Sequence, residues 1–332
     1  MKNYGDDNNF GDGNVFGAGN TFGKNNTLGD DNTLGYRNTL GDDNTLGDRN
    51  MLGNQNAFGD DNTLGDLNTL GDRNTLGNGN AFGNQNTLGG GNTFGKNNTI
   101  GNDNTLGSGN NLGDENAFGN WNTLGGGNNL GDGNAFGSWN TLGDGNTLGS
   151  QNTFGGQGTF GNQNTLGDRN KLGCGNTLGS WNKLGNENTF GNENTFGDDN
   201  TFGNGNTFGN GSTFGKNNTL GDDNTLGERN NLGDGFKFGK RLTMEGVQVL
   251  SLMNMSNVGG CEDRITIIVH TEGIKIRAGE FAGSLDEFCE KANSEGWGSH
   301  AKAVRAAAEA LQSDVADNAY ELPAAQPECS PA

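Results

Sequence analysis

The chain has 332 residues but only 3 prolines, 4 cysteines and 2 histidines, and just 29% of it is hydrophobic. Cys174, Cys261, Cys289 and Cys329 stand far apart without CxxC spacing, which points neither to a disulfide framework nor to a zinc site. A reduced, cytoplasmic setting is the plain expectation. The opening residues, Met1-Lys2-Asn3-Tyr4-Gly5, show no charged stretch followed by an apolar one. No segment approaches the ~18 apolar residues that span a bilayer, so no membrane partner is expected. Positive charge is scarce as well. The net charge is −20, with −12 on residues 1–241 and −8 on residues 242–332. Neither part offers the basic patch that direct nucleic-acid binding needs.

So low an apolar content would ordinarily mark a disordered polymer. Periodicity overturns that reading, because a stacked coil buries only a thin column and needs one large apolar residue per short repeat. Glycine recurs every six residues from Gly5 to Gly239, 40 times in succession and without an insertion. Before each glycine stands a large apolar residue, as in Leu28, Leu34, Leu40, Phe58, Phe94, Phe136 and Phe202, and this column is the expected core. Three residues before the glycine stands Asn in 36 of the 40 repeats, with Lys2, Gly158, Ser212 and Phe236 as exceptions, and between them stands Thr in 26. The consensus is Asn-Thr-Leu/Phe-Gly-x-x. In a strand, side chains alternate faces, so Asn and Leu point inward and Thr points out, while the x-x pair, rich in Asp, Asn, Gly, Arg and Gln, forms a solvated corner.

This pattern resembles the hexapeptide repeat of left-handed parallel β-helices and covers about 239 of the 332 residues. The resemblance implies a triangular coil of three hexapeptides. Asn replaces the small inward residue usual in that family, and the buried amides need partners. Stacked at ~4.8 Å, Asn26, Asn32, Asn38 and Asn44 would belong to Asn ladders reaching the coils on either side and the corner carbonyls. With 18 residues per coil there would be about 13 coils, roughly 60 Å in length at that spacing. A flattened coil of 12 residues is the alternative, because Phe22, Phe58, Phe82, Phe94, Phe118 and Phe154 share a 12-residue phase that only Phe136 breaks in that stretch. Successive core phenylalanines at Phe190, Phe196, Phe202, Phe208 and Phe214 look crowded for a narrow triangle, so a widened core is expected there.

Periodicity stops near Lys240. The fold class is therefore mostly β, a parallel β-helix over 1–241, then a small α+β domain over 242–312 and a disordered tail over 313–332. In the second part, Val247 to Met253, Arg264 to His270 and Ile274 to Arg277 read as strands. Ser284 and Glu287 form a capping box opening a helix to about Glu295, and a second helix spans roughly Ala301 to Gln312. The segment from Ile265 to Leu311, with Lys275-Ile276-Arg277-Ala278-Gly279-Glu280-Phe281 and Ser284-Leu285-Asp286-Glu287-Phe288-Cys289, resembles a small domain that ends uncharacterised repeat proteins of phages and prophages. That resemblance implies a phage or prophage origin, with a place in the host cytoplasm or the virion, and no activity. The domain is expected to cap the last coil or bind a partner. The amino-terminal coil carries no such cap, so self-association through it is expected, or docking on another protein.

Hexapeptide β-helices include acyltransferases, which resemble one another in a catalytic His on a coil and in loops that shape the site. Here the repeats hold no His and no insertion, and His270 and His300 lie in the second part. No catalytic residue, metal or cofactor is expected. The Asp pairs, such as Asp30-Asp31 and Asp42-Asp43, suit solvated turns better than Ca²⁺ binding. An acidic DNA mimic falls short on magnitude, since a duplex of that length presents about 35 charges at one per ~1.7 Å. The leading expectation is a rigid, non-enzymatic scaffold or interaction protein whose exposed Thr27, Thr33, Thr39 and Thr45, and a corner pair Trp121 and Trp139, 18 residues apart, offer binding surface. Binding of ice or another crystal surface by stacked Thr ranks is the second reading.

Overall fold

The computed structural model describes residues 3–222, 224–226, 231–232, 237–238, 243–244, 247–255, 265–270, 272–278 and 281–317. The chain divides into two compact units, Met1–Lys240 and Arg241–Ala332.

The first unit is a parallel β-solenoid. Its two-residue strands fall into three sheets of 14, 13 and 13 strands, in which each strand pairs with the one three further along the chain. The register is Asn3↔Thr21 on face 1, Asn9↔Thr27 on face 2 and Val15↔Thr33 on face 3, so a coil takes 18 residues and has three sides. The 12-residue alternative fails on this register. Phe136, the exception to the 12-residue phase, is the ring that stacks between Phe118 and Phe154 on face 2, at centroid separations of 4.6 and 4.5 Å.

From Phe22 to Leu220 every core residue is at most 4% exposed. The crowded phenylalanines fit by orienting their rings. Within one coil, Phe190 meets Phe196 edge to face at 5.0 Å, and Phe196 meets Phe202 likewise at 5.3 Å. Between coils, Phe190 stacks on Phe208 at 4.7 Å and Phe196 on Phe214 at 4.8 Å. Both are favourable geometries for aromatic quadrupoles.

The repeat becomes intelligible when its backbone N–H groups are followed one by one, since a buried N–H without an acceptor costs about 1–3 kcal/mol. Thr63 donates to the Asn80 carbonyl and Gly65 to the Phe82 carbonyl of the next coil, both at 2.8 Å. The second corner residue donates to the preceding coil, as Leu67 does to the Asp48 carbonyl at 2.9 Å. Two N–H groups per repeat meet side chains instead. The inward Asn receives the Oδ1 of the Asn 18 residues earlier, as Asn98 N to Asn80 Oδ1 at 3.0 Å. The first corner residue receives the side-chain oxygen of its counterpart 18 residues later, as Asp48 N to Asp66 Oδ1 at 2.8 Å. The two ladders run in opposite directions along the solenoid. Many Asn Nδ2 groups reach glycine carbonyls, as Asn80 Nδ2 does to Gly77 O and Gly95 O at 3.0 and 2.9 Å, whereas those of Asn50, Asn68, Asn122, Asn140, Asn164 and Asn194 are buried without a partner among the described residues.

The same geometry fixes the glycine. A Cβ on Gly83 would lie 2.1 Å from Asn102 Oδ1 and 2.9 Å from the Gly101 carbonyl oxygen of the next coil. The second corner residue sits in the left-handed region in coil after coil, for example Arg37 at φ 59° and Trp139 at φ 67°. Glycine takes that position in Gly91 and Gly109, at φ 72° and 71°.

The second unit carries a five-stranded antiparallel meander: β1 (Thr243–Met244), β2 (Val247–Met255), β3 (Ile265–His270), β4 (Gly273–Ala278) and β5 (Phe281–Ser284), followed by α1 (Leu285–Ser294) and α2 (Gly298–Asp317). Ile265, Ile267 and Ile276 of the sheet share one core with Phe288 and Ala292 of α1 and Val304 and Ala308 of α2. The capping box is present: Glu287 N donates to Ser284 Oγ, and Ser284 N donates to Glu287 Oε2 at 2.7 Å. The hydrogen bond from the Ser284 backbone, helped by the Ser284 hydroxyl, holds the Glu287 carboxyl below the usual range. That favours the folded cap above the ordinary Glu pKa, and the contribution is lost as pH falls through the lowered value.

The sequence reading missed β5, which pairs with β4 through the register Ala278↔Phe281. It also placed α2 too short. The Trp297 carbonyl accepts from His300 and Ala301 N–H, closing a first turn upstream of the alanine run, and no Pro or Gly interrupts Ser313 to Asp317. Residues 313–317 are therefore helical, whereas 318–332 lie outside the described residues.

The inward ladder yields a first prediction. Asn134 Oδ1 accepts from Asn152 N and Nδ2, both at 3.0 Å, while Asn134 Nδ2 donates to Gly131 O and Gly149 O. Asn134→Ala is expected to lower unfolding stability by about 2–3 kcal/mol in urea. Exposed Thr147→Ala is expected to stay within about 0.5 kcal/mol of the parent.

Candidate functional site

A solenoid offers function through its three outward ranks and three corners. The inward sites of the sequence reading, Leu28, Leu34, Leu40, Phe58, Phe94, Phe136 and Phe202, are all buried, as are Asn26, Asn32, Asn38 and Asn44. Asn26 and Asn44 share one column, Asn44 N donating to Asn26 Oδ1 at 3.0 Å, while Asn32 and Asn38 belong to the other two.

The outward threonines divide by face. Thr27 and Thr45 are neighbours on face 2. Thr33 stands between Val15 and Met51 on face 3, and Thr39 between Thr21 and Ala57 on face 1. The four therefore form no common rank. What the linear sequence hid is the quality of face 3 further along, where every outward position from Thr69 to Thr213 is threonine, nine in a row. Ala57, Asn111 and Asn129 interrupt face 1, and Ala81, Ala117 and Ala135 interrupt face 2. Along the middle of face 3, the second corner position is Gly91, Gly109, Gly127 and Gly145, and so carries no side chain beside those threonines. Sorting the sequence by 18 rather than by 6 would have found both features.

On the opposite border of face 3, Trp121 and Trp139 occupy successive left-handed corner positions, 49% and 58% exposed. Their rings stack at 5.1 Å with an interplanar angle of 7°. Trp181, also exposed, lies at a different corner. A bulky residue at positive φ is strained, and solvating two indoles adds to that cost.

The acidic corner residues serve the backbone. Asp30 Oδ1 accepts from Asp12 N at 2.7 Å, and Asp42 Oδ1 from Lys24 N at 2.7 Å. Lys216 bridges to Asp198 at 2.8 Å and, with the Ser180 N–H, lowers the Asp198 pKa. Among the described residues no group of three or more His, Cys, Asp or Glu is placed to hold a metal ion. In the second unit, His270 Nδ1 accepts from Glu272 N at 3.2 Å, and His300 is buried. Cys174 is exposed and Cys289 buried, while Cys261 and Cys329 lie outside the described residues. No helix among the described residues is long and apolar enough to cross a membrane.

The Trp pair predicts a spectroscopic signature. Two parallel indoles in contact should give an exciton couplet in circular dichroism that either Trp121→Phe or Trp139→Phe abolishes and Trp181→Phe leaves in place.

No family model and no curated protein matches the chain. Among solved structures, the crystal structure of the polySia specific acetyltransferase NeuO is similar at 9% identity, covering 88% of this chain and 98% of that one. The TM-score is 0.10, and a likeness so slight carries nothing about activity.

Proposed function

We propose that the solenoid is a non-enzymatic scaffold that binds a protein partner or a second copy of itself, with Trp121 and Trp139 as the anchor. The observation that carries this reading is the stacked, exposed indole pair held at positive φ. Tryptophan is the residue most enriched among interface hot spots, because a rigid ring buries a large area at little entropic cost. The repeats contain no histidine to act as an acyl-transfer base, which sets the acyltransferase reading lower. A phage or prophage origin, a cytoplasmic or virion location and a capping or partner-binding role for the second unit belong to this proposal, resting on sequence alone. Light scattering of the tagged full chain is expected to show a mass above the monomer or a copurifying protein. The Trp121→Ser/Trp139→Ser double variant should lose it and Trp181→Ser should keep it. A lone monomer, or an assembly indifferent to the double change, contradicts the proposal.

The unbroken Thr rank of face 3 favours a second reading, adsorption to ice or another regular crystal surface through hydroxyls and methyls at a fixed ~4.8 Å step. Thermal hysteresis tests it. This reading expects hysteresis that Thr123→Lys/Thr141→Lys/Thr159→Lys on face 3 abolishes and Thr147→Lys/Thr165→Lys on face 1 spares. Absence of hysteresis in the unaltered chain removes it.

A further inference from the structure

Face 3 is bordered by two corners of opposite character. On the corner before it stand the exposed indoles of Trp121 and Trp139. On the corner after it, in the same two coils, stand Gly127 and Gly145, with Gly91 and Gly109 in the two coils before. The space above these glycines is open, since a Cβ on Gly91, Gly109 or Gly127 would meet nothing within 4 Å among the described residues. Trp181 repeats the relation with the corners exchanged. It stands exposed on the corner after face 3, and Gly175 holds the corner before face 3 in the same coil. Each of the three tryptophans of the solenoid therefore has glycine across the face from it.

Between its borders face 3 is uncharged. Its outward residues are Val15, Thr33 and Met51, then threonine from Thr69 to Thr213, whereas Lys171 interrupts face 2 and Lys183 face 1. Residues 1–241 carry a net −12, so two copies meet at least cost where neither presents charge. Face 2, the other neighbour of Trp121 and Trp139, is bordered in those coils by Asp114, Glu115 and Asp132, and pairing through it would lay carboxylates on the indoles.

We propose that face 3 docks on face 3 of a second copy about a two-fold axis parallel to the solenoid, with Trp121 and Trp139 filling the open corner at Gly127 and Gly145 of that copy. This rests on the reading of the Trp pair as an interface anchor, and names its partner. Such an axis keeps each coil at its own height and exchanges the two corners. Trp181 then meets Gly175, and Asp31 meets Arg37 with opposite charge. A two-fold axis across the solenoid would instead lay indole on indole at one border and glycine on glycine at the other, holding the Thr ranks apart and leaving a void. Beyond Trp181 the next pair is Glu193 against Asp199, acid on acid, and the contact ends there. From Thr33 to Thr177, eight steps of ~4.8 Å make a length of about 38 Å, and six residues per side at ~3.3 Å make a width of at most ~20 Å. Two such faces bury up to about 1,500 Å² together, within the roughly 1,200–2,000 Å² of a specific dimer. The contact covers the Thr rank, so the dimer leaves no such rank for a crystal surface.

Sedimentation equilibrium of the full chain, joined to photo-cross-linking with p-benzoylphenylalanine in place of Trp121, tests the arrangement. The parent is expected to be a dimer. Gly127→Gln/Gly145→Gln should weaken it at least ten-fold by filling the open corner, and the backbone accepts the change, because Gln55 and Gln163 hold the same corner position at φ 60° and 57°. Gly133→Gln, the same change on a corner that does not border face 3, should leave the dimer intact. Trp181→Ser removes one contact at the rim and should weaken it only a few-fold. The cross-link from position 121 should join two chains and map to residues 126–127. A monomeric parent, full retention of the dimer in Gly127→Gln/Gly145→Gln, an equal loss in Gly133→Gln, or a cross-link to residues 120–121 or 138–139 of the second copy overturns the proposal. Loss in Trp121→Ser/Trp139→Ser with retention in Gly127→Gln/Gly145→Gln overturns this arrangement alone and leaves the Trp pair as an anchor. A dimer indifferent to both double variants overturns both readings. Circular dichroism of each variant separates loss of the contact from loss of the fold.

Discussion

The structure depends on one interaction, the hydrogen bond from a buried backbone N–H to the side-chain oxygen of an asparagine in the neighbouring coil. An 18-residue coil with two-residue strands leaves two N–H groups in each hexapeptide that no backbone carbonyl reaches. Inside, where water is absent, an amide must serve, and Asn is short enough to fit beside Leu or Phe while its Nδ2 reaches the glycine carbonyls. At the corner, where water can substitute, the requirement is looser. This difference explains the composition. The inward column admits very few exceptions, whereas the first corner position admits Lys24, Tyr36, Gly90 and Cys174 among its Asp, Asn and Ser residues.

The exceptions inside follow the same logic. Gly158 replaces an asparagine, and a Cβ there would lie 2.8 Å from Asn140 Oδ1 and 3.1 Å from the Phe160 ring. Beside it Phe160 packs edge to face on Phe154 at 5.1 Å. A sequence poor in apolar residues can fold because dispersion between stacked rings and leucines is joined to a hydrogen-bond network repeated at every rung.

Much of this was legible beforehand. Six-residue periodicity gave the strands, the inward Asn and the apolar column, and Ser284 with Glu287 marked the start of α1. What stayed hidden depended on the number of residues per coil. Only the 18-residue register shows that Thr69 through Thr213 lie on one face and that Thr27, Thr33 and Thr39 do not. The corner also looked like generic turn chemistry, yet its first residue is an acceptor and its second takes a left-handed backbone with Leu67 or Trp121 as readily as with glycine. The strain of that second position is borne by the coils on either side, which fix its N–H to a carbonyl 19 residues earlier.

Residue-resolved amide hydrogen exchange of the intact chain tests the central claim most directly. The account requires the N–H groups of inward asparagines such as Asn98 and Asn116 to exchange as slowly as those of neighbouring Thr99 and Gly101, which bond to backbone carbonyls. Asn176, whose acceptor is lost at Gly158, should exchange distinctly faster than Asn98. Rapid exchange at Asn98 and Asn116, with protection confined to the strand amides, would contradict it.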